Sequence, residues 1–588
     1  MLPPLRTFGR TRCPLRIPRL LHSSSFEASY QSTYDEYHDV VIVGGGPVGL
    51  ALAASLGSSS ITSHRLSVAL IEASNLDKIR TWNPLPSTYS NRVSSITNES
   101  SSFLKKHQAW RHVNVERTAP IRDMHVWDGI SDARITFSAS SISRSEMARL
   151  TENLNLQRAL LRRIDELSGP SIRLFDNVKV NTIVREMGTS ALDGGGWPII
   201  VLSNGRSIRA RLLVGADGFN SPVRSFAGIP NFGWAYPTHA VVATLQHHPI
   251  QPISPFTEAR NGLNTTAYQR HLPTGPIAFL PLTDNISSLV WSTTPEIALA
   301  LKTSHSAVLS QMVNAAFRLP HVSIEYLGNV LLESMSRDLA TNSPTTTITP
   351  EQLGNEISFR EKSHGISPES ALSSLRYEQG HTGIPPLDAE LYPPLAYSTQ
   401  PGTQASFPLR LSHATTYIGE GLQGCRVALV GDAAHTIHPL AGQGLNMGLG
   451  DVECLVKVLE DAVGIGSDIG SYTSLLPYHQ GRYATNHMLL SATDKLHKIY
   501  SMTNTPSVWA RSVGVEVLNE LHSVKGTMMS FAGADDSENV NPSTGKWNAV
   551  ATGVEAVGTA EKAAKAVALG LGNVARSAFE SVLRSLPR

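Results

Sequence analysis

The uncharged stretch Val40–Gly57 is long enough to cross a membrane, but its composition divides it into two elements. Glycines at 44, 45, 46 and 49 and a proline at 47 interrupt the apolar run. Before them, Asp39–Val43 reads as a buried β-strand. After them, Leu50–Leu56 reads as a helix. A second apolar run, Ser67–Ile71, reads as a strand closed by Glu72. The same strand–turn pattern returns at Ile208–Val214, which runs into Gly215-Ala-Asp-Gly218, and at Val427–Val430, which runs into Gly431-Asp432. Tyr236–Gln246, Gly275–Leu282 and Ser287–Thr293 alternate or run apolar, as strands of a separate sheet should. Residues 465–503 carry a helical pattern. Residues 341–350 hold eight Ser, Thr or Pro, and polar character continues to about 385, so this region is expected to be a partly disordered loop insertion.

The pattern predicts an α/β protein. Its parts, as implied by the family that the motifs below resemble, are a Rossmann-like dinucleotide-binding domain, an inserted mixed β-sheet domain for substrate, and C-terminal helices. The expected boundaries are a leader over 1–37 and the dinucleotide domain in three pieces, 38–120, 151–232 and 416–465. An excursion over 121–150 and the main insert over 233–415 form the substrate domain, with the loop insertion near 338–400. Helices follow over 466–532, then a linker over 533–558 and a basic amphipathic helix over 559–588. In that last segment Val567, Leu571, Val574 and Ala578 fall at helical spacing among Lys562, Lys565, Arg576 and Arg584, a pattern suited to a membrane surface or to a protein face.

Charge narrows the partners. The 588-residue chain has a net charge of +1, so no overall field draws it to nucleic acid. Cys13, Cys425 and Cys454 cannot make a disulfide framework or a zinc ribbon. Residues 1–26 contain five arginines and no acid, the composition of a mitochondrial transit peptide. Without those arginines the chain has 44 basic against 48 acidic residues and is mildly acidic.

The glycine turn carries the first chemistry. Gly44 permits the tight turn, Gly46 lets backbone approach a pyrophosphate, and Gly49 lets helix pack closely on strand. The helix N-terminus then offers free N–H groups to phosphate. Glu72, 23 residues after Gly49, can accept from both ribose hydroxyls and would repel a 2′-phosphate, which favours an FAD- or NAD-type adenosine. The third turn, Gly431-Asp-Ala-Ala-His435-Thr-Ile-His438-Pro439-Leu-Ala-Gly442-Gln-Gly444-Leu-Asn446, is dense in small residues. A flat ligand can lie on it, Asp432 can accept from a ribityl hydroxyl, and the helix that starts near Gly444 would stabilise negative charge on a reduced flavin.

These three motifs together resemble the single-component aromatic-ring flavoprotein monooxygenases, whose fold is of the p-hydroxybenzoate hydroxylase type. Further stretches are similar to the mitochondrial ubiquinone-biosynthesis branch: Glu152-Asn153 with Leu156-Gln157, Gly233-Trp-Ala-Tyr-Pro237, Ala267-Tyr-Gln-Arg270, Leu272-Pro-Thr-Gly-Pro-Ile277, Ser287–Thr293 and Ser406-Phe-Pro-Leu409. The resemblance implies FAD as cofactor. It implies that Gly44, Gly46 and Gly49 hold the pyrophosphate, that Glu72 holds the adenosine ribose, and that Arg92 lies near the FAD phosphates. Gln157 is implied as a polar flavin contact and Asp217 with Gly218 as the family's Asp-Gly fingerprint. Gly431 and Asp432 are implied at the ribityl chain, and Pro439, Gly442 and Gly444 along the isoalloxazine ring.

The implied reaction is hydroxylation of a polyprenylated 4-hydroxybenzoate-type ring by reduced flavin and O₂, at C5 and by extension at a further ring position. Implied partners are ferredoxin and an NADPH-dependent ferredoxin reductase as electron donors, other ubiquinone-biosynthesis proteins in a complex, and the matrix face of the inner membrane, to which the protein would attach peripherally. A hydroxylase or epoxidase of another phenolic or isoprenoid substrate, reduced directly by NAD(P)H, is the alternative. No catalytic base is assigned: His435, His438, Tyr268 and His271 read as packed or capping residues. Asp432, His435 and His438 carry the ligand types of a non-haem iron site, but their spacing and glycine-rich surroundings suit a flavin better, so no metal is expected. The Gly-Asp turn also argues against a prenylated-GTPase carrier of related fold that does not use flavin chemistry.

Overall fold

The β-branched run that ends at Val43 forms the centre of a parallel sheet because it can be buried on both faces. In the computed structural model, which describes residues 34–167, 171–186, 196–249, 264–341, 348–375, 389–439 and 442–533, the strand Glu36–Val43 lies between Val68–Ile71 and Ser207–Gly215, parallel to both. Ile172–Phe175 extends the parallel set on one side, and Val427–Leu429 pairs parallel with Ser207–Gly215. Antiparallel strands Pro198–Leu202 and Val180–Arg185 complete seven strands. The helix Pro47–Ser58 is buried over nearly its whole length, with Leu50, Leu52 and Leu56 in the main core. The strand begins at Glu36, two residues inside the stretch expected as leader.

A nine-stranded sheet forms the second body. Its centre is Asn231–His247, Ile286–Thr293, Gly275–Thr283 and Thr266–Leu272, paired antiparallel in that order. Asp123–Asp128 and Arg134–Ser138 from the early excursion join its edge. Strand alternation gives the sheet two different faces. Tyr268, Ile277, Phe279, Leu289, Trp291 and Val241 point to a core shared with helices Pro295–Thr303 and Ser306–Arg318. The opposite face carries Gln269, Ala278, Val290 and Val242, aligned across four strands by register.

The expected loop insertion is corrected in its middle. Residues Pro350–Ser363 form a helix with a complete capping box between Thr349 and Gln352 and proline in its first turn. Only Leu353, Ile357 and Glu361 of this helix are buried, so the polar surplus that reads as loop is the wet side of an amphipathic helix. Leu353 and Ile357 pack into the substrate-domain core, and Glu361 accepts from the Ser374 N–H. Ala396–Thr399 then adds a strand beside Asn231–His247.

Three helices follow the dinucleotide domain, over Tyr472–Ser501, Thr505–Glu520 and His522–Phe531. The buried Arg511 chelates Asp128 and caps the carbonyls of Ile499 and Met502, tying this end of the chain to the second sheet. The expected transit peptide, most of the linker and the basic helix over 559–588 lie outside the described residues.

Candidate active site

Three turns meet because the strands that feed them end side by side. The Ala216 N–H donates to Val43 O (2.8 Å) and the Val430 N–H to Gly215 O (2.9 Å), so the chains leaving the sheet at residues 43, 215 and 430 emerge together. Two glycines are dictated by contact. Gly44 has φ +111°, and a Cβ there would stand 2.2 Å from Ala216 O. A Cβ on Gly49 would stand 1.9 Å from Gly44 O. Gly46 is different: nothing lies within 4 Å of a Cβ built on it. It is the N-cap of the helix, with no side chain capping the free N–H groups behind it. The first turn therefore presents bare backbone and a helix N-terminus to open space, the surface a pyrophosphate needs.

Glu72 stands where the spacing puts it, but it has an additional structural duty. Its Oε2 accepts from the Gly45 N–H at 2.5 Å, and Oε1 accepts from the N–H and hydroxyl of Ser74. It braces the glycine turn and can offer a ribose only its remaining lone pairs. Gln157 reaches the same turn, with Nε2 donating to Gly45 O (3.3 Å). Arg92 is exposed and makes no ion pair among the described residues. The loop before it is fastened, since Ser90 N donates to Glu152 and Gln400 bonds both backbone groups of Tyr89, and the Asn153 N–H donates to Arg92 O.

In the second turn Gly218 has φ +80°, and Asp217 accepts from the Val223 N–H (3.1 Å). Burial raises the Asp217 pKa. Arg224, in the same motif, locks the second turn to the third by donating to Phe219 O and Ala433 O, each at 2.6 Å.

In the third turn Gly431 and Gly442 have φ +59° and +61°. Asp432 is exposed to solvent although protein crowds it, as a residue at the base of a cleft would be. Desolvation raises its pKa, and His435 opposes the shift. Gly444 opens the 21-residue helix Gly444–Gly464, whose first turn has no side-chain cap. Asn446 secures that start, donating to Ser95 O and accepting from the Thr97 N–H.

Under the third turn lies a buried charged network that the sequence reading missed. Asp451 is fully buried. One of its oxygens accepts from His435 (2.6 Å) and the Gly431 N–H (3.1 Å), the other from Arg482 and Asn486 (both 2.9 Å). Burial alone would raise the Asp451 pKa, but His435 and Arg482 hold it at about 2. The signal was present in the sequence: Asp451 is an acid inside the buried stripe formed by Met447, Val452 and Leu455. His435 thus has a structural partner, as its packed reading expects.

Between the turns and the second sheet, His435–Thr436 pairs with Ala405–Ala414, so the third motif crosses from one body to the other. Pro439 then meets the sheet face at a small, partly open pocket lined also by Gln269, Pro276, Ala278, Val290 and Ser292. Tyr268 points away from it, its hydroxyl donating to Glu390 O. His271 is on the pocket face but stacks on Tyr500 at 4.0 Å. His438 is buried between Tyr236 and His497.

Burial sets the pH response. It lowers the pKa of His271 and His438 to about 3 and of His107, His247 and His413 to about 4. These imidazoles stay neutral in the fold, whereas in the unfolded chain they protonate below about pH 6.5. Their contribution is therefore intact above pH 6.5 and is lost as pH falls toward the folded pKa, by at most about 1.4 kcal/mol per histidine per pH unit. The melting midpoint should fall steadily between pH 7 and pH 5. A flat profile there would refute neutral burial.

The arrangement fits FAD: an open glycine cradle, an acid at each end of the path, and a flat small-residue turn facing a sheet. Residues 395–486 match the family model described as FAD binding domain. Ubiquinone biosynthesis monooxygenase COQ6, mitochondrial, of Xenopus tropicalis is 38% identical over 526 residues, covering 88% of this chain and 97% of that protein. The protein of the same name from Saccharomyces cerevisiae is 37% identical over 514 residues, covering 87% and 96%. Among solved structures, p-nitrophenol 4-monooxygenase PnpA from Pseudomonas putida DLL-E4 shares the fold with a TM-score of 0.53 at 17% identity, over 86% of this chain and all of that one. The chain belongs to the family of mitochondrial ubiquinone biosynthesis monooxygenases COQ6, and it is a flavin-dependent monooxygenase with FAD as its cofactor.

Proposed function

We propose that this protein hydroxylates C5 of the aromatic ring of a polyprenylated 4-hydroxybenzoate-type precursor. The observation that carries the reading is where Pro439 of the third turn meets the second sheet: Pro276, Ala278 and Val290 give that face small apolar walls beside the turn. Bound FAD supplies the reducing equivalents and O₂ activation for placing one oxygen on that ring. In this reading Gly44, Gly46 and Gly49 bind its pyrophosphate, with Arg92 beside the phosphates, and Glu72 its ribose. Gln157, Asp217 and Gly218 steady the middle of the path. Gly431 and Asp432 hold the ribityl chain, and Pro439, Gly442 and Gly444 face the ring system. The sheet face covers this end of the path and keeps water from it.

Disrupting the gene should make 4-hydroxy-3-polyprenylbenzoate, or the phenol left by its decarboxylation, accumulate by mass spectrometry; an unchanged quinone pool would reject the assignment. Asp432→Ala should lower FAD affinity at least tenfold, read by flavin retention on gel filtration, and full retention would remove Asp432 from the site. Electrons are proposed to arrive from NADPH through ferredoxin reductase and ferredoxin. Product formed with NADPH alone would overturn that route. The proposed location is the matrix face of the inner membrane, in a complex with other proteins of the pathway, because a polyprenyl tail partitions into the bilayer. Among the described residues no helix is long and apolar enough to cross a membrane. Flotation of the full chain with liposomes should exceed that of a chain lacking residues 559–588; equal flotation would count against that segment as the anchor.

A further inference from the structure

The pocket beside Pro439 has two polar residues in an otherwise apolar lining, Gln269 and Ser292. Both side chains rise from the same sheet face. Gln269 is in register with Ala278, Ala278 with Val290, and Ser292 lies one pleat beyond Val290. Ser292 is 1% exposed, and its hydroxyl finds no partner among the described residues. Unsatisfied buried hydroxyls are rare because burying one without a partner carries its full desolvation penalty. Its position is also tightly set: Gly275 has φ +136°, and a Cβ there would stand 2.5 Å from Ser292 Cβ.

Gln269 is buried and half engaged. Its Nε2 lies 3.1 Å from His271 Nε2, and the stack on Tyr500 holds that imidazole in place. With His271 as its Nδ1–H tautomer, Nε2 is the acceptor and the Gln269 amide donates to it, which turns the amide oxygen the other way. The Gln269 carbonyl oxygen has no partner among the described residues. The pocket therefore offers one acceptor and one hydroxyl, which both donates and accepts, with small apolar walls between them.

We propose that Gln269 and Ser292 are the specificity-determining residues of this pocket: Gln269 Oε1 accepts from the ring hydroxyl of the substrate, and the Ser292 hydroxyl bonds a second polar substituent of the same ring. The inference rests on the substrate class proposed above and names the atoms that would read it. A site built to hydrogen-bond a hydroxyl discriminates strongly against the analogue that lacks it, since the buried acceptor is then left unpaired. An apolar slot alone discriminates weakly.

The test titrates FAD-loaded protein with 3-prenyl-4-hydroxybenzoate and with its deoxy analogue, 3-prenylbenzoate, and follows the flavin absorbance. The wild type should prefer the phenol by about tenfold or more. Gln269→Met should bring the ratio close to one. Ser292→Ala should weaken both compounds in parallel, and Ser292→Thr should restore binding. A change that merely loosened the fold would weaken both compounds without altering their ratio in Gln269→Met, so an unchanged ratio overturns the role of Gln269. Unchanged affinities in Ser292→Ala overturn that of Ser292. If Gln269→Met does not retain FAD, the same ratio is read in Gln269→Leu and Gln269→Glu, where only the glutamate should preserve discrimination. A wild type that prefers the phenol while both variants behave like it overturns this inference but leaves the substrate class standing. A wild type that responds to neither compound overturns the substrate class itself.

Discussion

Asp451→Ala should destabilise the protein by about 3–5 kcal/mol and release FAD, because it removes the one anion in a buried network and leaves its cation behind. Arg482 and Asn486 would lose their shared acceptor oxygen, and the Gly431 N–H and His435 would lose the other. The Gly431 bond matters most for function. It fixes the first residue of the turn that carries Asp432, so the loss travels three bonds along the backbone to the cleft. Asp451→Asn should be milder, since its oxygen can still accept from Arg482. His435→Gln should be milder still, since it leaves the anion paired with the guanidinium. Differential scanning fluorimetry, together with the FAD-to-protein ratio after gel filtration, should give the order wild type, His435→Gln, Asp451→Asn, Asp451→Ala. An Asp451→Ala protein that melts with the wild type and keeps its flavin would show that the network contributes nothing. With the Asp451 pKa at about 2, the carboxylate is ionised throughout the neutral range. Its stabilisation is present above about pH 3.9, the ordinary aspartate value, and is lost as pH falls through about 2.

What could be read from the chain divides by the kind of signal. The strands that end at Val43, Gly215 and Leu429 were legible because an apolar run stopping at glycine has few alternatives once it is buried. The turns after them were legible for the same reason: Gly44 and Gly49 admit no Cβ at all. The composition of Pro350–Ser363 predicts loop because only three of its side chains are buried, yet Thr349-Pro350…Gln352 announces a helix start. Composition outweighed a local cap signal, and the cap was the better guide. Asp451, Arg482 and Asn486 were not found because they are distant in sequence and become one network only when helices Gly444–Gly464 and Tyr472–Ser501 pack together. Glu72 follows its strand as the spacing predicts, but its bond to the Gly45 N–H depends on a turn geometry that spacing does not specify. Tyr268 and Gln269 are adjacent in sequence and face opposite sides of a sheet. Sequence alternation separates them, but only the structure says which side holds the pocket.

Gly49→Ala and Gly46→Ala should separate folding from binding within a single turn. At Gly49 the new methyl would stand 1.9 Å from Gly44 O and 3.3 Å from Ala216 Cβ, and the first of these is backbone that cannot swing aside. The helix Pro47–Ser58 would have to lift from the strand that it covers, which disturbs the core around Leu50 and Leu52. Overpacking of this kind costs about 1–3 kcal/mol and more where backbone must move. The FAD-free protein should melt earlier, and flavin affinity should fall at least a hundredfold. At Gly46 a methyl meets no atom within 4 Å, and the backbone there, φ −68° and ψ 176°, suits any residue. The FAD-free protein should melt with the wild type, yet the methyl would project into the space in front of the helix N-terminus where the phosphates are proposed to bind. Flavin affinity should therefore drop about tenfold or more without any loss of apoprotein stability. Isothermal titration of the stripped proteins with FAD, paired with their melting curves, measures both quantities. If Gly46→Ala binds FAD as tightly as the wild type, the pyrophosphate does not approach this backbone, and the first turn serves packing alone.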